Sequence, residues 1–275
     1  MSPDDSVASD ADIESPAKAR RLALEIEYEG TNYAGFQLQA REPTIQGELE
    51  KALYRLTREN IRVRGASRTD SGAHALGQVV DFEAKSTYTS DTFVGALNYY
   101  LPDDIRVLRA SEVDGNFNAR RDAVSRTYRY RILNRSRPSA LWRRDSHWIS
   151  EPLNVEYMNL AAKDLLGVHD FRAFAPAHPA DRSTVRRVDR WEVAHGRDDT
   201  DFVNIVCEAS GFMQHQIRRT NAVLAAIGKA SLPVGAIREI LEGLENSTSV
   251  DSIGAIPTLP AKGLCLVKVK YRKPW

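Results

Sequence analysis

Apolar residues recur along this chain at two different periods, and the order in which the periods appear constrains the fold more than any other feature. Leu22, Leu24, Ile26 and Tyr28 alternate within Arg21 to Glu29, the period of two of a half-buried strand. From about Thr44, a suitable N-cap, the spacing changes: Ile45, Leu49, Ala52, Leu53 and Leu56 share one helical face. Strand-like runs follow at Ile61 to Ala66 and Gln78 to Ala84, and a helix over Asp91 to Leu101 is stopped by Pro102. The second part of the chain repeats the theme. Strands are expected at Thr127 to Leu133, Thr184 to Ala194, Phe202 to Ala209 and Leu264 to Lys270, and helices at Val155 to Leu166, Met213 to Ile227 and Val234 to Leu244. Strands and helices in mixed order, without regular β-α-β alternation, predict an α+β fold with a largely antiparallel sheet. The expected division is a tail over residues 1–19, an N-terminal half over 20–120 and a C-terminal half over 121–275.

Charge sharpens this outline. The net charge of +1 conceals an acidic start, with Asp4, Asp5, Asp10, Asp12 and Glu14 and no base in residues 1–16. Without those five, 32 acids face 38 Lys and Arg, a net of +6. The polar, Ser- and Pro-containing start is expected to be disordered, and the body to be mildly basic, which permits contact with nucleic acid. No apolar run is long enough for a membrane span and no signal peptide is visible, so a cytoplasmic protein is expected. Cys207 and Cys265 each fall in an alternating run and read as small core residues. The six histidines show no zinc-type spacing, and no metal is expected.

Three stretches could carry chemistry. Between two strand-like runs lies Gly65-Ala66-Ser67-Arg68-Thr69-Asp70-Ser71-Gly72-Ala73-His74, a loop holding a carboxylate beside hydroxyls and an arginine. The plain alternative is a turn in which Asp70 and Ser71 cap backbone amides. A P-loop is excluded, because Gln78-Val79 follows Gly77 where Lys and Ser/Thr would be needed. Next, residues 120–144 contain nine arginines, among them Arg120 and Arg121, against one acid, Asp122, with Tyr128, Tyr130 and Trp142 interleaved. Arginine forks suit phosphates and aromatic rings stack on unpaired bases, so the strip reads either as a nucleic-acid contact or as a solvated strand face. The third stretch is Phe212-Met213-Gln214-His215-Gln216-Ile217-Arg218-Arg219, which opens an apolar helix face; Arg218 and Arg219 could equally be a surface pair, and His215 is left unassigned.

At these places the chain resembles the bacterial tRNA pseudouridine synthase A family, which also has members in archaea and eukaryotes. The likeness runs from about Arg20 to Tyr271 through five blocks in order: Tyr28 to Gln37; Ser67-Arg68-Thr69-Asp70-Ser71-Gly72-Ala73-His74-Ala75; Phe117 to Arg120 with Arg126 to Tyr130; Leu166 to Phe174; and Pro260 to Leu264. Ser67 stands where the family usually has Gly, Ala73 where it has Val, and Gln216-Ile217-Arg218-Arg219-Thr220 where it has Met-Val-Arg-Asn-Ile.

The resemblance implies a fold of two similar halves with a basic cleft between them, a homodimer, tRNA as substrate and no cofactor. The target would be uridines at positions 38 to 40 of the anticodon stem-loop. Another tRNA position, another RNA, or a catalytically silent RNA-binding protein are the alternatives. By resemblance Asp70 is the essential carboxylate, as nucleophile or as the base of a glycal route, and Arg218 is its ion-pair partner. Tyr128 would lie against the target base, and Arg68 would fill the gap left by the flipped base. Arg120 and Arg121 would contact phosphate.

Overall fold

The computed structural model describes residues 19–175, 183–197, 199–245, 256–273 and 275; the expected acidic tail, Ala19 apart, lies outside them. In chain order the elements are β1 (Arg20–Tyr28), α1 (Ile45–Thr57), β2 (Arg64–Gly65), β3 (His74–Ala84), α2 (Ser90–Tyr100), β4 (Ile105–Val113), β5 (Ala123–Asn134), β6 (His147–Ile149), α3 (Val155–Ala162), β7 (Gly167–Asp170), β8 (Val185–His195), β9 (Phe202–Ala209), α4 (Gln216–Gly228), α5 (Ala236–Glu245) and β10 (Leu264–Tyr271).

The ten strands among the described residues join one open sheet, ordered β4-β1-β3-β10-β5-β9-β8-β7, with β2 on β3 and β6 on β5. The pairings are antiparallel except β10 with β3 and β5 with β6. The expected α+β class with a largely antiparallel mixed sheet is what forms. Its central seam positions the candidate residues. The last strand, β10, lies between β3 and β5, pairing Cys265 with His74 and Leu266 with Ala75 on one side, and Leu266 with Tyr128 on the other. A strand from the chain's end thereby joins the strands nearest both the Asp70 loop and Tyr128.

Local sequence explains most elements. The Thr44 hydroxyl accepts the Gly47 amide at 3.1 Å and starts α1, whose buried side carries Ile45, Leu49, Ala52 and Leu53. Arg58, in the left-handed region at φ 61°, ends it. Helices α1 and α2 pack together over the β1–β4 end, and α3, α4 and α5 over the β8 end. Both groups share one continuous apolar cluster. Each Leu or Ile buried there contributes about 1.5–3 kcal/mol relative to exposure. Cys207 and Cys265 are buried free thiols, as their alternating runs imply.

Several boundaries differ from the sequence reading for identifiable reasons. β3 begins at His74 rather than Gln78, because the added residues pair with the distant β10. Within Ile61 to Ala66 only Arg64 and Gly65 pair as strand; the Val63 amide donates instead to the Glu50 side chain of α1, at 3.1 Å. α3 stops at Ala162, and one tighter turn, Lys163–Leu165, completes the expected segment. α4 starts at Gln216, since His215 sits in the left-handed region at φ 62°. β4, β6 and β7 were not anticipated, although Ile105, Val107 and Ala110 supply the buried side of β4.

Candidate active site

The Asp70 loop joins β2 to β3 and rests on the segment that follows β1. Gly35 takes φ +93°, and a Cβ there would lie 2.6 Å from the Thr69 carbonyl oxygen. A Cβ on Gly30 would lie 1.9 Å from the carbonyl oxygen of Ala73. Backbone therefore meets backbone where only glycine fits, and the first two sequence blocks form a single structural unit. Hydrogen bonds close the contact: the Phe36 amide donates to the Thr69 carbonyl and the Gly72 amide to the Tyr33 carbonyl, both at 3.2 Å. The Gly30 amide donates to His74 Nδ1 at 3.0 Å. That nitrogen is thus an acceptor, so Nε2 carries the hydrogen and faces the carbonyls of Arg144 and Lys262, at 2.9 and 3.1 Å.

Across from the loop, the first turn of α4 presents Arg218. Its Nη1 donates to Asp70 Oδ2 at 2.9 Å, and its Nε to the Leu259 carbonyl at 2.6 Å. The side chains of Arg218 and Asp70 are 14% and 17% exposed, so this is a half-sequestered, charge-assisted pair joining residues 148 positions apart. The guanidinium offsets the cost of taking the carboxylate out of water. Beside it, Arg219 donates to the Ile256 carbonyl, at 3.1 Å through Nε, so the arginine that departs from the family pattern holds the incoming chain. His215, which the sequence left unassigned, brings Nε2 to 4.0 Å from Asp70 Oδ1.

Tyr128 lies on β5, with its hydroxyl 2.7 Å from Ser67 Oγ and its ring edge-on to Phe212 at 5.5 Å. Phe212 precedes α4 and packs on Tyr128 and Trp191, rather than extending the helix face. Burial, together with the charge of Asp70, holds the Tyr128 phenol above its ordinary range, so it stays protonated at neutral pH. The structure thus gathers Asp70, Arg218 and Tyr128 in one place, with Arg68 exposed on the same loop. A cavity of about 330 Å³ lined by Tyr28, His74, Arg129 and Asp145, among others, takes in none of Asp70, Tyr128 or Arg218.

The arginine strip is less uniform than its spacing implies. Arg126 is buried, and its guanidinium donates to the carbonyls of Ala66, Arg120, Ala123 and Ser210. It clamps the root of the Asp70 loop and the approach to α4, and burial lowers its pKa. Arg131, Arg135 and Arg144 pair with Asp145, Asp201 and Glu29. Three of the strip's nine arginines are therefore paired with acids of the protein itself. Arg120 and Arg121 remain exposed, with no side-chain ion pair among the described residues. Their turn is shaped by Asn118, whose Oδ1 accepts both of their amides.

Sequence reasoning singled out the loop that holds Ser67 and Thr69, and the block that opens at Tyr28, but gave these residues and Gln78 no role. The available signal was alternation within the loop, where Ser67 and Thr69 interleave with Arg68 and Asp70.

A family model described as tRNA pseudouridine synthase matches residues 25–121 and 161–272, which include Asp70 and Arg218 while Tyr128 falls between the segments. A protein of Myxococcus xanthus described as tRNA pseudouridine synthase A is 40% identical over 253 residues, 92% of each chain. Proteins with that description from Geotalea daltonii and Thermoanaerobacter sp. strain X514 are 39% and 38% identical over 252 residues, covering 92% of this chain and all of theirs.

Proposed function

The chain belongs to the tRNA pseudouridine synthase family, and on that premise we propose that it isomerises uridines at positions 38 to 40 of the tRNA anticodon stem-loop through Asp70. The observation that carries this reading is the Asp70–Arg218 pair, a carboxylate bound to a guanidinium at 2.9 Å inside a half-sequestered site.

The reaction breaks the N1–C1′ bond of uridine, turns the uracil, and joins C5 to C1′. The C5 proton leaves to solvent and N1 ends protonated, so atoms and electrons balance without oxidant or reductant. Asp70 either adds to C1′ or removes a sugar proton to begin a glycal route; both need its ionised form. Arg218 fixes the carboxylate's position. Tyr128, held as a neutral phenol, forms a wall for the uracil. Arg68 enters the space left when the target base flips out, which limits the unstacking cost of a few kcal/mol.

Arg120 and Arg121 offer exposed guanidinium groups for phosphates near the root of the Asp70 loop. Replacing both by alanine is expected to weaken tRNA binding and flatten the log Kd against log salt line by about 1–2 units. Turnover at saturating tRNA stays at the parental rate. Equal salt slopes for the double variant and the parent contradict phosphate contact. The family likeness further supports a homodimer that grips tRNA across both subunits and works in the cytoplasm. No helix among the described residues is long and apolar enough to cross a membrane.

Substrate position is tested by mapping pseudouridine in unmodified tRNA transcripts bearing uridine at 38, 39 or 40, each compared with its cytidine counterpart. Product confined to those positions is expected. Product elsewhere, or product undiminished by the three cytidines, contradicts the assignment.

A further inference from the structure

Beneath the Asp70 loop lies a chain of buried hydrogen bonds that the reaction as described does not use. Arg68 is exposed and Asp70 turns to Arg218, whereas the buried Thr69 turns in and shares a hydrogen bond with the Tyr28 hydroxyl at 2.8 Å. Ser67 turns in likewise, and its hydroxyl meets that of Tyr128 at 2.7 Å. Gln78, a fully buried amide on β3, grips the Ser67 peptide from both sides. Its Nε2 donates to the Ser67 carbonyl at 2.7 Å, and its Oε1 accepts the Ser67 amide at 3.2 Å. Nε2 also lies 3.5 Å from the Tyr28 hydroxyl. An amide among Val79, Val80 and Phe82 would be costly if unpaired, so a core that retains one needs its specific bonds.

We propose that Ser67 and Gln78 are positioning residues for the reaction: Gln78 clamps the Ser67 peptide, and the Ser67 hydroxyl then holds the phenol of Tyr128 in place against the target base. Two hydroxyls meet in that contact and only one hydrogen is consumed, so the other is left to point away from it. With the Ser67 hydroxyl present, Tyr128 Oη has a fixed partner and a fixed position. Without it, the buried phenol must seek another acceptor or turn. Gln78 acts one step further back, because it sets which loop side chains face inward. A slip of one residue would exchange Ser67 and Thr69 for Arg68 and Asp70. The inference rests on the reading that Tyr128 meets the base.

The test is single-turnover rate and tRNA Kd for Ser67→Ala, Ser67→Thr, Tyr128→Phe and the Ser67→Ala/Tyr128→Phe pair. Ser67→Ala is expected to slow turnover about five- to tenfold, the worth of one hydrogen bond, with Kd unchanged. Ser67→Thr restores the rate, and in the Tyr128→Phe background Ser67→Ala costs nothing more. Gln78→Met, similar in shape and without the amide, is expected to slow turnover at unchanged Kd; if it folds poorly, the Ser67 series decides. A Ser67→Ala rate equal to the parent, or an equal loss in both backgrounds, overturns the proposal. A Tyr128→Phe variant as fast as the parent sinks the role given to Tyr128 and this inference with it. A slow Tyr128→Phe beside a fast Ser67→Ala sinks the inference alone.

Discussion

Asp70→Asn is expected to bind tRNA about as tightly as the parent and to lose at least about a thousandfold in turnover. Asparagine keeps the shape of aspartate and can still accept the Arg218 Nη1 hydrogen, so the contact that now spans 2.9 Å can persist. What disappears is the negative charge and its lone-pair reactivity at the sugar. No second carboxylate contacts Arg218 among the described residues, so nothing nearby takes over. On the proposed reading tRNA binding rests on phosphate contacts away from Asp70, which the substitution leaves untouched. A variant that loses affinity in step with turnover would instead mark Asp70 as a binding residue.

The second large effect is expected at Arg218. Arg218→Met removes the cation while keeping much of the stem, leaving a carboxylate that is 17% exposed without its partner. Removing one partner of a buried pair costs about 3–5 kcal/mol of stability, less at this partial exposure, and a carboxylate no longer held in position is expected to lose roughly a hundredfold in turnover. Arg218→Lys keeps the charge but cannot serve Asp70 and the Leu259 carbonyl together, as the fork does now at 2.9 and 2.6 Å. Its loss should be smaller, about tenfold. The check is single-turnover rate beside thermal melting. Near-parental turnover in folded Arg218→Met would show that the pair is only structural.

The Asp70 loop was legible in the sequence because its residue types are unusual and adjacent. Thr44 was legible as a cap because capping is local, and Phe202–Ala209 because both faces of that strand keep their alternation. What escaped depends on contacts far along the chain. Nothing around Leu264–Tyr271 says that this strand lies between His74–Ala84 and Ala123–Asn134. Nothing around Arg126 says that it is buried beneath four carbonyls while Arg120 and Arg121, with the same side chain, stay in solvent. Gln78 reads locally as a polar residue in an apolar strand, and its use appears only when the loop folds back over it. Arg218 was assigned to Asp70 by resemblance; their approach across 148 residues follows from α4 beginning where His215 turns the chain.

Asp70 is proposed to drive the exchange of the N1–C1′ bond of a tRNA uridine for a C5–C1′ bond. The most direct measurement of this exchange is tritium release from unmodified tRNA labelled at uridine C5, made side by side for the parent protein and Asp70→Asn. Release by the parent and none above background by the variant is expected, with both proteins binding the tRNA. Release by both would remove Asp70 from the chemistry, and release by neither from bound tRNA would contradict the proposed reaction on this substrate.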